Sequence, residues 1–507
     1  MTNIHRIRSE HAKECEAVKL FSFLTKKKAE IEPVTEKKAS QETNNTELNT
    51  ADKESPGNQP STLPYVNFSL GKEQSLIIDI LEKSSDNFFI TGKAGSGKST
   101  LLKYFKKNTA KKNLAVVAPT GIAALNVSGQ TIHSFFKLNP GFLDTNSIDE
   151  KSFKEKNNNV LSHLEVLIID EISMVRADTM DMIDKKLQIA KSNRKPFGGC
   201  QIIAFGDLYQ LPPVVKEEIE NKLLIERYGT IFFFGAPSVR NTFTTIELQE
   251  VFRQKEPFFV SMLNKIREDS ISESEINYLN IASGLAEKPD LCTTLVLTNK
   301  AAEKINNEKL NMLNGNIIEY NGEFDGDYFP TDDTPCDKTL RLRTGALVML
   351  IKNNHEMHYV NGTLATVKKL DEDNIWLEFN NTTIQLEKET WPKYKYEYDP
   401  ESKKIIQNEI GHFTQYPIKL AYAMTIHKSQ GRTFDDICID YMGKTAFSPG
   451  QTYVALSRCK SLEHMHILSP ITRNDIGTNN EVANFMKSAK TLDEISKILP
   501  GASQSTL

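Results

Sequence analysis

The octet Gly92-Lys93-Ala94-Gly95-Ser96-Gly97-Lys98-Ser99 completes the pattern G-x-x-x-x-G-K-[ST], and no other stretch limits the fold of this chain as tightly. It follows a short apolar run at 88–91 and precedes a helical pattern at 100–105, the strand–loop–helix setting that a phosphate-cradling loop requires. Glycines there let the backbone wrap a β-phosphate with its N–H groups turned inward, and the start of the next helix adds positive potential. Gly92, Ala94, Gly95, Ser96, Gly97 and Thr100 are therefore candidate phosphate contacts. Lys98 is expected to neutralise the β- and γ-phosphates, and the Ser99 hydroxyl to ligate Mg²⁺. The competing reading is a glycine-rich turn without a ligand. Against it stands a second element, Leu167-Ile168-Ile169-Asp170-Glu171, which puts two carboxylates at the end of an apolar strand. Asp170 is expected to hold the Mg²⁺ shell, and Glu171 to orient and polarise an attacking water. Such a pair can also be a simple helix cap. Beside a complete phosphate loop it points to hydrolysis of ATP or GTP, which leaves open what work the hydrolysis does.

Four continuous apolar runs, at 88–91, 114–118, 166–169 and 202–205, each lead into loop residues and then a helical pattern. Runs of this kind suit strands buried on both faces, as in a parallel sheet covered by helices. Residues 177–190, with Met180, Ile183 and Leu187 at helical spacing, predict one covering helix. Further runs at 294–297, 346–351 and 437–439, completed near 466–468, predict a second sheet-containing α/β unit. Between about 354 and 417 the pattern changes. Ile375, Leu377 and Phe379 alternate with Trp376 and Glu378, and Trp391, Tyr394, Tyr396 and Tyr398 lie in a second extended piece. This predicts a small antiparallel module inserted into the second unit, its aromatics either building a barrel core or stacking on bases. Residues 7–24 fit one helix, whereas 26–64 are polar with almost nothing to bury, the composition of a flexible tail. Thr491 and Glu494 are placed to form a capping box.

Composition narrows the partners. Lys and Arg number 62 against 66 Asp and Glu in 507 residues, a formal net charge of −4. That excludes a wholly polybasic binder but allows a locally basic groove for nucleic acid. Six cysteines with no CxxC pair exclude a disulfide scaffold, a zinc ribbon and an iron–sulfur cluster. No stretch approaches the roughly 20 apolar residues of a membrane span, and the charged amino terminus lacks the apolar core of a signal. The expected setting is intracellular, in the cytoplasm or, in a bacterium, the nucleoid, with no membrane partner.

A third element makes the kinship specific. Gly206-Asp207-Leu208-Tyr209-Gln210-Leu211-Pro212-Pro213 resembles the superfamily 1B DNA helicases of the Pif type, relatives of the RecD-like helicases. Matching segments continue in the family's order: Ala118-Pro119-Thr120-Gly121-Ile122-Ala123-Ala124, Thr131-Ile132-His133-Ser134-Phe135, Asp170-Glu171-Ile172-Ser173-Met174 and Phe252-Arg253-Gln254. Thr425-Ile426-His427-Lys428-Ser429-Gln430-Gly431 and Tyr453-Val454-Ala455-Leu456-Ser457-Arg458 complete a likeness that spans roughly residues 66 to 470. It implies an α/β fold of tandem RecA-like P-loop domains. Domain 1A covers 66–250 with a small 1B insertion near 137–162; domain 2A covers 251–353 plus 418–475; an SH3-like 2B module covers 354–417. A C-terminal helical extension at 476–507 follows, and the N-terminal helix and mostly disordered tail at 1–65 stand outside the likeness.

The resemblance also implies roles. Gln210 becomes a sensor of hydrolysis state, because its amide can donate to the γ-phosphate or the attacking water while accepting from a neighbour. Arg253 and Arg458 become arginine fingers, each with a fork of donors suited to a phosphoryl group. Gln74 matches an adenine-reading glutamine, whose carboxamide pairs with N6 and N7 and favours ATP over GTP; an ordinary helix-surface glutamine is the alternative. Gly431, with Gln430, couples the nucleotide to the DNA-binding loops. Thr120, Gly121, Thr131, His133 and Ser134 are the DNA contacts implied in the first domain. Thr425, His427 and Lys428 are those of the second, joined by Asn361 and Gly362 near the inserted module. Phe135 or Phe136 stacks on a base or belongs to the core. The implied activity is translocation on single-stranded DNA from 5′ to 3′ with ATP and Mg²⁺, opening 5′-tailed duplexes, by a monomer, in replication, repair, recombination or telomere maintenance. Relatives also act on G-quadruplexes or RNA–DNA hybrids. Two rivals stand beside it: a nucleotide-switched clamp that remodels complexes without unwinding, and a RecD-like motor that needs partner subunits.

Overall fold

Alternate residues of the apolar runs go to opposite faces of one sheet. Strands β1 (Asn87–Gly92), β2 (Leu114–Ala118), β3 (Gln130–Thr131), β4 (Val166–Ile169), β5 (Gln201–Phe205) and β6 (Phe243–Leu248) pair in the order β3-β2-β4-β5-β1-β6. Every pairing is parallel. The computed structural model describes residues 70–491 and 494, apart from 157, 158, 284–288, 290 and 355. The helix expected at 7–24, the tail that follows it and the residues after 494 lie outside the described residues. On one face, Phe88, Ile90, Val116, Ile168 and Ile203 pack against Ile77 and Leu81 of helix Lys72–Lys83 and Leu101 and Phe105 of helix Lys98–Asn108. On the other, Phe89, Val117, Leu167, Ile169 and Ile202 pack against Met180, Ile183 and Leu187 of helix Ala177–Lys191. Both faces are covered, so each strand reads as continuously apolar. Edge strand β6 carries no such signal, since Thr244, Thr245 and Glu247 interrupt its apolar residues.

The strand order positions the site. β5 lies between β1 and β4, so the loops that leave these three strands, at Gly92, Gly206 and Asp170, emerge side by side. The C-terminal edge of a parallel sheet is where open α/β folds hold ligands. A second parallel sheet pairs Ala423–Thr425, Thr293–Val296, Ile437–Ile439 and Met465–Ile467 in that order. Its core joins Leu295, Ile437 and Met465 to Phe259 and Met262 of helix Pro257–Arg267 and Val454 of helix Gln451–Leu456. Together the two sheets make an α/β architecture consistent with tandem RecA-like domains.

Residues 346–351 depart from expectation. Leu347–Leu350 pairs antiparallel with Leu364–Leu370 and Ile418–Leu420, in a five-stranded sheet completed by Ile375–Phe379 and Thr382–Leu386. Leu347 and Met349 face the core of the second α/β lobe, while Val348 and Leu350 face the core of the antiparallel sheet. A strand covered on both sides has the same unbroken apolar signature in either setting, so periodicity does not separate the two.

The aromatic strand is half of a long hairpin, Glu389–Asp399 against Lys404–Gln415, joined by Glu323–Gly326. Its aromatics divide between two sites. Trp391 stacks on Phe413 beside Tyr328. Tyr396 is buried in the first lobe, where the Val116 N–H donates to its hydroxyl oxygen at 3.1 Å. His163 stacks on Tyr398, and the Ile405 N–H donates to Asn113 Oδ1 at 3.0 Å. The hairpin is thus strapped across the first sheet. Phe136 is buried there and Phe135 meets Tyr396 edge-on, so both belong to the core. The Thr491 N–H donates to the Glu494 carboxylate at 2.7 Å, one half of the expected capping box. Among the described residues no helix is long and apolar enough to cross a membrane.

Candidate active site

The phosphate loop runs from the end of β1 into helix Lys98–Asn108, whose N-cap Gly97 is left-handed at φ 82°. Gly95 shares that conformation at φ 84°, and a Cβ there would sit 2.5 Å from Arg253 Cβ. Glycine is required twice over, for its backbone freedom and for the approach of the second lobe. The loop borders a cavity of about 670 Å³. Of the expected nucleotide residues, Ala94, Gly95, Ser96, Gly97, Lys98, Ser99, Thr100, Asp170, Glu171, Gln210, Arg253, Gly431 and Arg458 all line it. Gly92 does not, but its carbonyl accepts from Lys98 Nζ at 2.6 Å, and the Lys93 carbonyl accepts at 3.1 Å. Burial pushes the Lys98 pKa down, against the opposing pull of Asp207 and Glu171.

Gln74 lies beside this cavity without lining it. Its Oε1 accepts from the Gly71 N–H at 3.3 Å, capping its own helix, while its Nε2 lies against Gly97. Phe252, to which sequence reasoning gave no role, is 48% exposed and lines the cavity next to Gly97. An aromatic left open at the mouth of a nucleotide cavity offers a face for a base.

Glu171 takes a left-handed backbone at φ 49°, uncommon for a residue with a Cβ. Its N–H donates to Asp170 Oδ1 at 3.0 Å. Burial raises the pKa of both carboxyls, and for Glu171 the charge of Asp170 adds to the rise. Gln430, from the second lobe, donates to Glu171 Oε2 at 3.0 Å and to Gln210 Oε1 at 3.4 Å. Gln210 Nε2 in turn donates to Asp207 Oδ2 at 3.2 Å. One second-lobe amide therefore touches both the candidate base and the candidate sensor.

The two arginines enter from the second lobe's side. Arg253 donates to the Ser457 carbonyl at 2.9 Å. Arg458 is 1% exposed and donates to the Val454 carbonyl at 2.9 Å and the Arg432 carbonyl at 3.2 Å. Burial, with the charge of Arg253 adding, pushes its pKa down to about 9. Two guanidinium groups held close in a polar cavity, with carbonyls rather than carboxylates as partners, leave positive charge for an anion.

The site fits a divalent cation on chemical grounds. Ser99 and Asp170 line one cavity, and among the described residues the Glu171 N–H takes only Oδ1 of the Asp170 carboxylate. An open hydroxyl and an open carboxylate oxygen are the two protein ligands Mg²⁺ takes when phosphates and water supply the rest. Among the described residues no group of three or more His, Cys, Asp or Glu is arranged to hold a metal.

The expected DNA contacts lie outside the cavity and fall into matching sets. Thr120 and Thr131 each cap a short helix, their Oγ1 accepting from the N–H of Ala123 and Ser134 at 3.2 Å, and Thr425, buried at the end of its strand, accepts from the Lys428 N–H at the same distance. Each hydroxyl keeps its proton free to donate. His133 and Ser134 are exposed beside Thr131, and Lys428 is exposed beyond Thr425. Partial burial of the rings lowers the pKa of His133 and His427, and for His133 the charge of Arg176 adds to the fall. Asp333 packs against Gly121, 2.8 Å from where a Cβ would stand. Gly362 turns at φ 104° with the Thr433 carbonyl beside it, which places the exposed Asn361 near a residue lining the nucleotide cavity. Sequence reasoning gave no role to Tyr453 or Asp207, although both lie in segments quoted above, nor to Arg267, which ends a helix with no motif to mark it; in the structure Arg267 meets Asp207 Oδ1 at 3.3 Å and the Ala94 N–H donates to the Tyr453 hydroxyl at 2.9 Å.

A phosphate loop on one α/β lobe, closed by glutamine and arginines from a second, defines a two-lobed P-loop nucleotide hydrolase. The family model described as PIF1-like helicase matches residues 69–277. The chain is 31% identical over 431 residues to the ATP-dependent DNA helicase Pif1 of Bdellovibrio bacteriovorus, covering 84% of this chain and 93% of that one. Pif1 from Bacteroides sp in complex with ADP-AlF4 superposes with a TM-score of 0.76 at 39% identity, covering 83% of this chain and 97% of its own. The same protein bound to ssDNA superposes at 0.59, with the same identity and coverage. The chain belongs to the PIF1-like helicase family.

Proposed function

We propose that this chain is an ATP-dependent DNA helicase that moves 5′ to 3′ along single-stranded DNA and opens duplex ahead of it. The observation that carries this reading is Gln430, which reaches from the second lobe to both Glu171 and Gln210. Hydrolysis chemistry and lobe position are then linked, so a change at the γ-phosphate alters the grip of loops on both lobes. Lys98 neutralises phosphate charge, Glu171 takes the proton of the attacking water, and Gln210 holds that water in line. Arg253 and Arg458 stabilise the charge that develops on the transferred group. Ser99 and Asp170 would hold Mg²⁺, which would supply further neutralisation of phosphate charge. Gln74 and Phe252 frame the base, which supports ATP as the nucleotide. The threonine caps Thr120 and Thr131 of the first lobe and the Thr425–Lys428 turn of the second, with His133, Ser134, Asn361 and His427, support a backbone track that carries no dense lysine patch. The antiparallel sheet supports an SH3-like module, and the remaining domain bounds and an intracellular setting are part of the same reading.

The test uses otherwise identical duplexes with a 5′ or a 3′ single-stranded DNA tail, ATP and Mg²⁺. Faster opening of the 5′-tailed duplex is the expected result. Preference for the 3′ tail would overturn the direction, and turnover without opening of either would favour the clamp or a partner-dependent motor.

A further inference from the structure

Tyr453 occupies a position its ring does not explain. The ring is packed in the core of the second lobe, 3% exposed, where phenylalanine would fill the same space. Its hydroxyl leaves that core and enters the phosphate loop of the first lobe. The Ala94 N–H donates to it at 2.9 Å, and it lies 3.5 Å from Asp207 Oδ2 as donor. Burial holds the phenol protonated, so one oxygen can accept from the loop and donate to the carboxylate at once.

Asp207 is the second half of the observation. It is 1% exposed, and besides the Tyr209 N–H, which donates to Oδ1 at 3.2 Å, three side chains converge on its carboxylate. Gln210 Nε2 shares Oδ2 with the Tyr453 hydroxyl, and Arg267, from a second-lobe helix, meets Oδ1 at 3.3 Å. Arg267 also bonds Glu247 at 3.0 Å and lies over the Tyr209 ring at 4.1 Å. Two side chains of the second lobe thus hold the carboxylate that aims the Gln210 amide, and one of them also holds the phosphate loop.

We propose that Tyr453 is a positioning residue for hydrolysis: its hydroxyl fixes the Ala94 N–H and, through Asp207, the Gln210 amide only when the second lobe is closed. The inference rests on the helicase reading above and deepens it. Nucleotide binding depends mainly on first-lobe groups and needs Tyr453 little. Alignment of the attacking water depends on Gln210 and therefore on closure. DNA that closes the lobes would raise turnover through this hydroxyl.

Tyr453→Phe in the full chain is the test, read as steady-state ATP hydrolysis with and without single-stranded DNA. The expected result is a DNA-stimulated kcat lower by roughly ten-fold, the scale of one hydrogen bond to a charged group. The KM for ATP, the affinity for single-stranded DNA and the melting temperature should stay near the wild-type values. Combined with Asp207→Asn, the substitution should cause little loss beyond that of Asp207→Asn alone, because both break one chain of bonds. A wild-type kcat in Tyr453→Phe, fully multiplicative losses in the double variant, or a fall in melting temperature that accounts for the lost turnover would each overturn the proposal. If the wild-type chain itself shows no DNA-stimulated hydrolysis, the helicase reading fails first and takes this one with it.

Discussion

Lys98→Ala should reduce kcat/KM for ATP by roughly 10²–10³-fold, the scale seen when one preorganised charge-stabilising group is removed from a dry site. The ammonium is held by the Gly92 and Lys93 carbonyls, so it meets incoming phosphate without having to be ordered first. It also faces Asp207 and Glu171, and its charge opposes the burial that raises the Glu171 pKa. Removing it therefore does two things: phosphate loses its partner, and Glu171 is driven further toward its protonated form. Residual hydrolysis in the variant should accordingly need a higher pH than wild-type hydrolysis. Nucleotide binding by calorimetry and turnover across pH together check this; a wild-type KM, or an unmoved acid limb of the pH profile, would contradict it. Folding should survive, because Lys98 contributes no carboxylate pair and its helix is anchored by Leu101, Leu102 and Phe105.

What sequence could reveal here follows from which forces are local. The phosphate loop, the Asp170–Glu171 pair and strands β1, β2, β4 and β5 were legible because each is a contiguous run whose chemistry or burial is fixed by its own residues. Leu347–Leu350 was misplaced because a strand between two cores has no polar face, and the alternation that would reveal an antiparallel sheet is absent. Tyr396 read as part of its own module, yet its hydroxyl accepts from Val116, 280 residues away along the chain. No local pattern encodes that contact. The site divides in the same way. Glu171, Gln210 and Arg458 sit in segments that resemble a family, whereas Arg267 reaches Asp207 from the end of a helix that looks like any amphipathic surface helix. Gln74 marks the boundary: its position was legible, but no local pattern shows that its oxygen also caps its helix.

Glu171→Gln should lower kcat by roughly 10²–10⁴-fold, the range for loss of a positioned general base, while leaving ATP binding nearly intact. The amide oxygen of the variant can still accept from Gln430, so the link between the lobes is preserved and only the proton acceptor is lost. Phosphate contacts are made by other groups, so the variant should hold unhydrolysed ATP. The substitution should also stabilise the nucleotide-free protein, with a definite pH dependence. Burial and the charge of Asp170 raise the folded-state pKa of Glu171 above its unfolded value near 4.3. Such a group favours the folded state fully below the unfolded pKa, and that contribution is lost as pH rises through the folded value. Wild type and variant should therefore melt alike near pH 4, and the variant should melt progressively higher as pH rises toward 8. Paired melting curves across that range report the Glu171 carboxyl together with its effect on Asp170, since the two charges act on each other. A constant difference in melting temperature at all pH values would place the Glu171 carboxylate in water, and equal turnover in the two proteins would remove it from the chemistry.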